Sequence, residues 1–266
     1  MFEIFILPFF YRALIIIILL GFTASYYGVF IVQRKMSFLG SGLAHSAFGG
    51  VALGILLSVQ PLIIAIPFTL LFAIFISYFQ EKSNLSSDTI IGIFFSIAVS
   101  LGIIFLSLKE NYTTDAFTYL FGSLLSVQLI DVWTSIILTI LTTFTFFKYW
   151  SRWTYATFDY ELAIADKLPV RKDNYILNSL IAITVVVSIK IIGIILISAY
   201  IVIPGAIARL LSKTFRQMTI LAIIIGVVSG IIGLLISILV DLPSGAVIVL
   251  FQSILMISVF IFKREK

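Results

Sequence analysis

Uninterrupted apolar runs recur along nearly the whole chain, and they constrain its fold more than any other feature. A helix needs roughly 20 apolar residues to cross about 30 Å of hydrocarbon. On that basis nine spans are expected, at about 9–32, 42–58, 62–80, 88–108, 128–148, 174–192, 194–210, 216–240 and 245–262. The sixth and seventh form one run broken only by Lys190 and Gly193. Its length, about 55 Å at 1.5 Å per residue, is too great for one crossing, so two short helices are expected, with eight spans as the alternative count. Of the 266 residues 61% are hydrophobic and only 11% charged, far from the roughly 25% charged of a soluble domain. Soluble enzymes, disulfide-stapled secreted domains and disordered chains are therefore excluded. The fold class expected is an all-α integral membrane protein, one polytopic domain over 1–266.

The formal net charge of +5 reads as membrane topology once the charges are mapped, and not as nucleic-acid binding. With the C-terminus in the cytoplasm, all but Arg12, Lys109 and Lys190 of the 17 Lys and Arg lie on the cytoplasmic side. An odd number of spans then places the N-terminus outside. Met1–Pro8 carries Glu3 and no basic residue, which argues against a cleaved signal peptide. Two connections exceed hairpin length. The outer one, about 109–127, ends in an apolar Ala116–Ser126 stretch suited to the interface or to a half-helix. The inner one, Tyr149–Asp173, has apolar residues at 158, 162 and 165, one face of a short amphipathic helix. Thr157 is expected to cap it, with Glu161 in the first turn and Pro169 closing it. It reads either as a loop folded on its own membrane domain or as a docking helix for a cytoplasmic partner.

Chemistry-bearing residues are few. There is no cysteine, so thiolate metal sites and thiol nucleophiles are excluded; one histidine excludes an HExxH protease, and no GxxxxGK loop is present. His45 lies in the small-residue run Gly40–Gly50. A neutral imidazole suits zinc, copper or nickel better than calcium or magnesium. The alternative is a histidine hydrogen-bonded to a neighbouring helix, and the small residues allow either close packing or room for a pathway. One imidazole does not hold an ion alone, whereas a two-fold dimer with this helix at its axis supplies two. Lys190 is read as snorkelling to the outer surface, Asp131 and Asp241 as carboxylates near outer helix ends, and Pro204-Gly205 as a kink.

These residues resemble the membrane permease of zinc- and manganese-type ATP-binding-cassette importers. The likeness runs from Gln33-Arg34-Lys35-Met36-Ser37-Phe38-Leu39-Gly40 through His45 to Gly54. It returns at Tyr119–Leu125 and Phe158–Ala163, and continues from Val187 through Ile203-Pro204-Gly205-Ala206 to Arg209. Arg216-Gln217-Met218 and Asp241-Leu242-Pro243-Ser244-Gly245-Ala246 complete it. The resemblance implies a homodimer with two cytoplasmic ATP-binding subunits below and an extracytoplasmic metal-binding protein above. It implies alternating access, and a coupling role for 149–173, with Phe158, Asp159, Glu161, Leu162 and Ala163 at its centre. One departure stands out: the family's acidic residue four positions before the histidine is Ser41 here. Ser41 and His45 share a helix face at i, i+4. Loss of the carboxylate either favours an imidazole-suited ion such as zinc over manganese, or leaves a looser, hydrated passage. The family's Leu-Pro-Gly is replaced by Phe48-Gly49-Gly50.

The expected function is inward transport of divalent transition-metal ions, zinc or manganese with iron as a third candidate, across a prokaryotic cell membrane. The expected metal contacts are His45 and Ser41. No permanently bound cofactor and no nucleic-acid partner are expected, and ATP hydrolysis belongs to a separate subunit. Three alternatives are a siderophore-type chelate permease, a secondary carrier needing no ATPase, and an intramembrane enzyme; the last lacks a catalytic partner for His45.

Overall fold

The computed structural model of the chain describes residues 8–109, 119–120, 122 and 127–264. Among them there are ten helices and no strand. These are α1 (Pro8–Gln33), α2 (Leu39–Leu56), α3 (Pro61–Lys82), α4 (Ser87–Ser107), α5 (Leu129–Phe158), α6 (Tyr160–Ala165), α7 (Val170–Ile192), α8 (Ile194–Leu211), α9 (Phe215–Val240) and α10 (Ser244–Arg264). Eight of the ten are long and apolar enough to cross a membrane. The remaining predicted span, 194–210, is α8, helical but shorter in its apolar stretch. The break predicted near Gly193 is present. Its φ of 90° and ψ of 153° lie where L side chains are strained, so glycine permits two helices to meet across a single residue. The predicted outer segment 109–127 lies outside the described residues, apart from Lys109, Tyr119, Leu120, Gly122 and Val127.

The helix ends follow local chemistry. Ser86 caps α4 by accepting from the Thr89 N–H, and Thr214 caps α9 by accepting from Gln217. Gln128 and Asp131 form a capping box at the start of α5. Hydroxyls inside α5 donate back to the helix: Ser135 to Asp131 O, Thr139 to Ser135 O and Thr142 to Leu138 O, each at 2.8 Å. A serine- and threonine-rich helix thereby satisfies its polar groups without water.

The main apolar core is continuous and is built around α1 and α2. α1 is enclosed by α5, α8 and α9, with Ile16, Ile17, Leu20, Tyr26, Tyr27 and Phe30 fully buried. α2 is enclosed by α3, α4, α7 and α8. Glycines set these distances: a Cβ on Gly50 would lie 2.6 Å from Ala65 Cα on α3, and one on Gly42 would lie 2.5 Å from Ile91 on α4. Close backbone approach of this kind drives helix association where lipid is as apolar as leucine. α3, α4, α5, α9 and α10 are buried over far less of their length and present Ile63, Ile103, Ile137, Phe147 and Leu250 outward.

α5 corrects two expectations. Its 30 residues extend about 45 Å, well past the predicted end at 148. The predicted inner connection 149–173 is therefore mostly helix, and only 159–169 lies between α5 and α7. Nor does Thr157 cap the short helix. Its hydroxyl donates to Trp153 O at 2.6 Å within α5, and Asp159 caps α6 by accepting from the Leu162 N–H at 2.9 Å. Pro204 lies inside α8, which continues through it, and Gly205 packs against Gly28 of α1.

Candidate functional site

α2 is buried on most of its surface by the glycines and alanines of its first three turns. One stripe stays open: Phe38, Ser41, His45 and Phe48, spaced so that they line a single face. Close packing and an open face thus coexist on α2. The glycines serve the first, and Ser41 and His45, both half-buried, lie on the second. His45 Nδ1 lies 2.9 Å from the Ser41 carbonyl oxygen. A carbonyl only accepts, so Nδ1 is the donor in this hydrogen bond, and Nε2 is the ring nitrogen it leaves unengaged. The ring meets the neighbouring helix through Phe95 of α4, with centroids 4.4 Å apart. Phe38 touches the same phenyl ring at 5.7 Å. Among the described residues no three of His, Cys, Asp and Glu come together. One chain therefore brings one imidazole and one hydroxyl, those of His45 and Ser41, to this face of α2.

The other predicted residues gather at the end of the bundle that carries Arg34, Arg152, Arg171 and Arg209. Phe158 ends α5, Asp159 caps α6, and Glu161 lies in the first turn of α6. Ala163 is fully buried with Ala156 and Val170, which fixes α6 to α5 and α7. Phe158 at the end of α5 and Tyr160, Leu162 and Ile164 on α6 are exposed, forming an apolar tip. The predicted 158/162/165 face is thus modified: Ala163 turns inward and the tip adds Tyr160 and Ile164. Around it are polar links that sequence reasoning missed. Arg152 grips Asp173 with two bonds of 2.6 Å, and Arg171 pairs with Glu81 at 2.7 Å. Arg34 donates from Nε to Thr157 Oγ1 at 2.9 Å and from Nη1 to Asn174 Oδ1 at 2.8 Å. Burial draws the Arg34 guanidinium down to about 10, against the opposing pull of Asp173 and Tyr160.

At the opposite end Lys190 is not a free snorkelling lysine. Its Nζ lies 2.6 Å from Asp131 Oδ2, and both side chains are largely buried. The same carboxylate oxygen accepts from the Gln128 N–H at 2.7 Å. The pair fastens the start of α5 to the last turn of α7, next to the Gly193 break. Asp241 occupies the left-handed C-cap of α9. The two groups of predicted residues are thus separate: Ser41 and His45 share one face of α2, and Phe158 to Ala163 share the α5–α6 tip.

Residues 6–263 match the ABC 3 transport family. The manganese transport system membrane protein MntC of Listeria innocua is 35% identical over 255 residues, covering 96% of this chain and 91% of its own length. The high-affinity zinc uptake system membrane protein ZnuB of Haemophilus influenzae is 35% identical over 256 residues, covering 96% and 98%. The solved structure of PsaBC from Streptococcus pneumoniae in complex with Fab matches with a TM-score of 0.85 and 32% identity over 98% of this chain and 95% of that one. An inward-facing putative metal-chelate type ABC transporter shares the fold at a TM-score of 0.78 and 13% identity, over 94% and 85%. Matched in sequence and in helix arrangement along almost its entire length, the chain belongs to the ABC 3 transport family.

Proposed function

We propose that this chain is the permease subunit of an ATP-driven importer of divalent transition-metal ions, manganese or zinc. The observation that carries the reading is His45 on the open stripe of α2, its Nε2 unengaged by the bond to Ser41 O, in a chain 35% identical to membrane proteins named for manganese and for zinc uptake. A second copy related by a two-fold axis beside α2 brings a second imidazole and hydroxyl to the same ion. The basic end of the bundle faces the cytoplasm, as the Lys and Arg distribution requires. Its apolar tip, Phe158 with Asp159, Glu161, Leu162 and Ala163, docks into an ATP-binding subunit. An extracytoplasmic binding protein delivers the ion to the opposite end. ATP-driven closure of the ATPase moves the tips and changes the side to which the pathway between the two α2 helices opens. With Ser41 in place of a carboxylate the site is neutral, so it favours imidazole-loving zinc over manganese, which prefers carboxylates.

The test is ATP-driven uptake of zinc, manganese and iron by the whole complex in proteoliposomes. The reading expects His45→Ala to abolish uptake while ATP hydrolysis continues, and Ser41→Asp to move preference toward manganese. Normal transport by His45→Ala removes the histidine from the pathway, and no uptake of any metal by wild type removes the importer reading altogether.

A further inference from the structure

The end of α5, α6 and the start of α7 form one rigid piece. Arg152 and Asp173 lock α5 to α7 through two bonds of 2.6 Å, and Asp173 is 1% exposed. Ala163 is clamped between Ala156 and Val170. Facing this piece is the 34–38 connection, a compact turn tied to α1 by Met36 N–H to Ile31 O at 3.0 Å and to α2 by Leu39 N–H to Met36 O at 2.9 Å. Ser41 and His45 follow within the next turns of the same α2.

Between the two lies a polar cavity of about 280 Å³, lined by Arg34, Ser77, Thr157, Asn174 and Asn178 among others. Ser77 spends its proton on Ala73 O at 2.8 Å, so it accepts from Asn178 Nδ2 at 2.9 Å. Asn178 Oδ1 is left buried with no protein partner. Arg34 spans the cavity, with one donor on Thr157 and another on Asn174. Thr157 Oγ1 already donates to Trp153 O, so it is oriented to accept. The planar guanidinium holds these two acceptors on separate helices from fixed positions, a geometry that a lysine ammonium does not reproduce.

We infer that Arg34 is a positioning residue that carries movement of the docking tip to α2, and hence to Ser41 and His45. The inference rests on the reading of α6 as the ATPase-docking helix and goes beyond it by naming the link.

The test uses the assembled permease–ATPase complex with Arg34→Lys and, separately, Thr157→Val. Zinc uptake per ATP hydrolysed falls about tenfold in Arg34→Lys while hydrolysis changes by less than about twofold, the scale of one lost charge-assisted hydrogen bond. Adding Thr157→Val to Arg34→Lys causes little further loss, because both act on one link. A second readout does not depend on cargo. The chain has no cysteine, so Phe38→Cys gives a single thiol at the start of α2. Its modification rate responds to nucleotide in the Arg34 background and ceases to respond in Arg34→Lys. Unchanged uptake per ATP, a proportional fall of uptake and hydrolysis together, or a Phe38→Cys thiol indifferent to nucleotide with Arg34 intact each overturn the inference. A wild-type complex that hydrolyses ATP and moves no metal overturns the importer reading instead, and the thiol readout still decides the role of Arg34.

Discussion

The role proposed for His45 turns on a backbone oxygen, that of Ser41. A lone histidine in a helix is ambiguous, but Nδ1 at 2.9 Å from Ser41 O engages one ring nitrogen and leaves Nε2 as the other. The shared face of Ser41 and His45 was legible in their i, i+4 spacing. Lys190 was not. Its partner, Asp131, is 59 positions away, and sequence spacing says nothing about such a pair. The pair gives a sharp expectation. Lys190→Met leaves a mostly buried carboxylate without its cation and lowers stability by about 3 kcal/mol. Adding Asp131→Asn recovers most of that loss, since the amide oxygen still accepts from the Gln128 N–H. Thermal unfolding of the purified protein in detergent measures both, and equal stability of the single and double variants refutes the pairing.

Helix ends and helix contacts decide what each element does. α5 overran its predicted limit because the aromatic and threonine-rich stretch after 148 satisfies itself within the helix, as Thr154 and Thr157 show by donating to Trp150 O and Trp153 O. Asp159 then outcompetes the preoccupied Thr157 as the cap of α6. Glycines differ by what faces them. Gly50→Ala places a Cβ 2.6 Å from backbone on α3, forces α2 and α3 apart, and costs about 1–3 kcal/mol. Gly92→Ala, on α4 with nothing within 4 Å of the new Cβ, gains about 0.5–1 kcal/mol from helix propensity. Gly193→Ala is strained whatever the space around it, at about 1–3 kcal/mol, because φ is 90°. A melting series of the three should therefore rank Gly92→Ala above wild type and both others below it. A destabilised Gly92→Ala would show that another surface covers α4.

For the whole molecule, the expectation concerns assembly. Phe158, at the end of a helix about 45 Å long, and Tyr160, Leu162 and Ile164 on the short helix that follows are large exposed apolar side chains. In the proposed complex they fill a pocket on the ATP-binding subunit. Leu162→Glu buries a charge at that contact and weakens co-purification of the subunit by about thirtyfold, the scale of an interface hot spot, without changing helix content. Retained binding by Leu162→Glu would mean that the tip does not dock there.

By itself the sequence determined the helical membrane class, the apolar helices, the break at Gly193, the asymmetry of charge and the stripe that joins Ser41 to His45. These follow from hydrophobic length, backbone freedom and helical period, all of which are local. Only the tertiary structure decided that Lys190 is paired, that Asp159 and not Thr157 starts α6, and that Arg34 joins the turn before α2 to α5 and α7. The first and last depend on which helices come to lie side by side, where close glycine packing joins segments far apart in the chain, and the second on how far α5 runs before it ends.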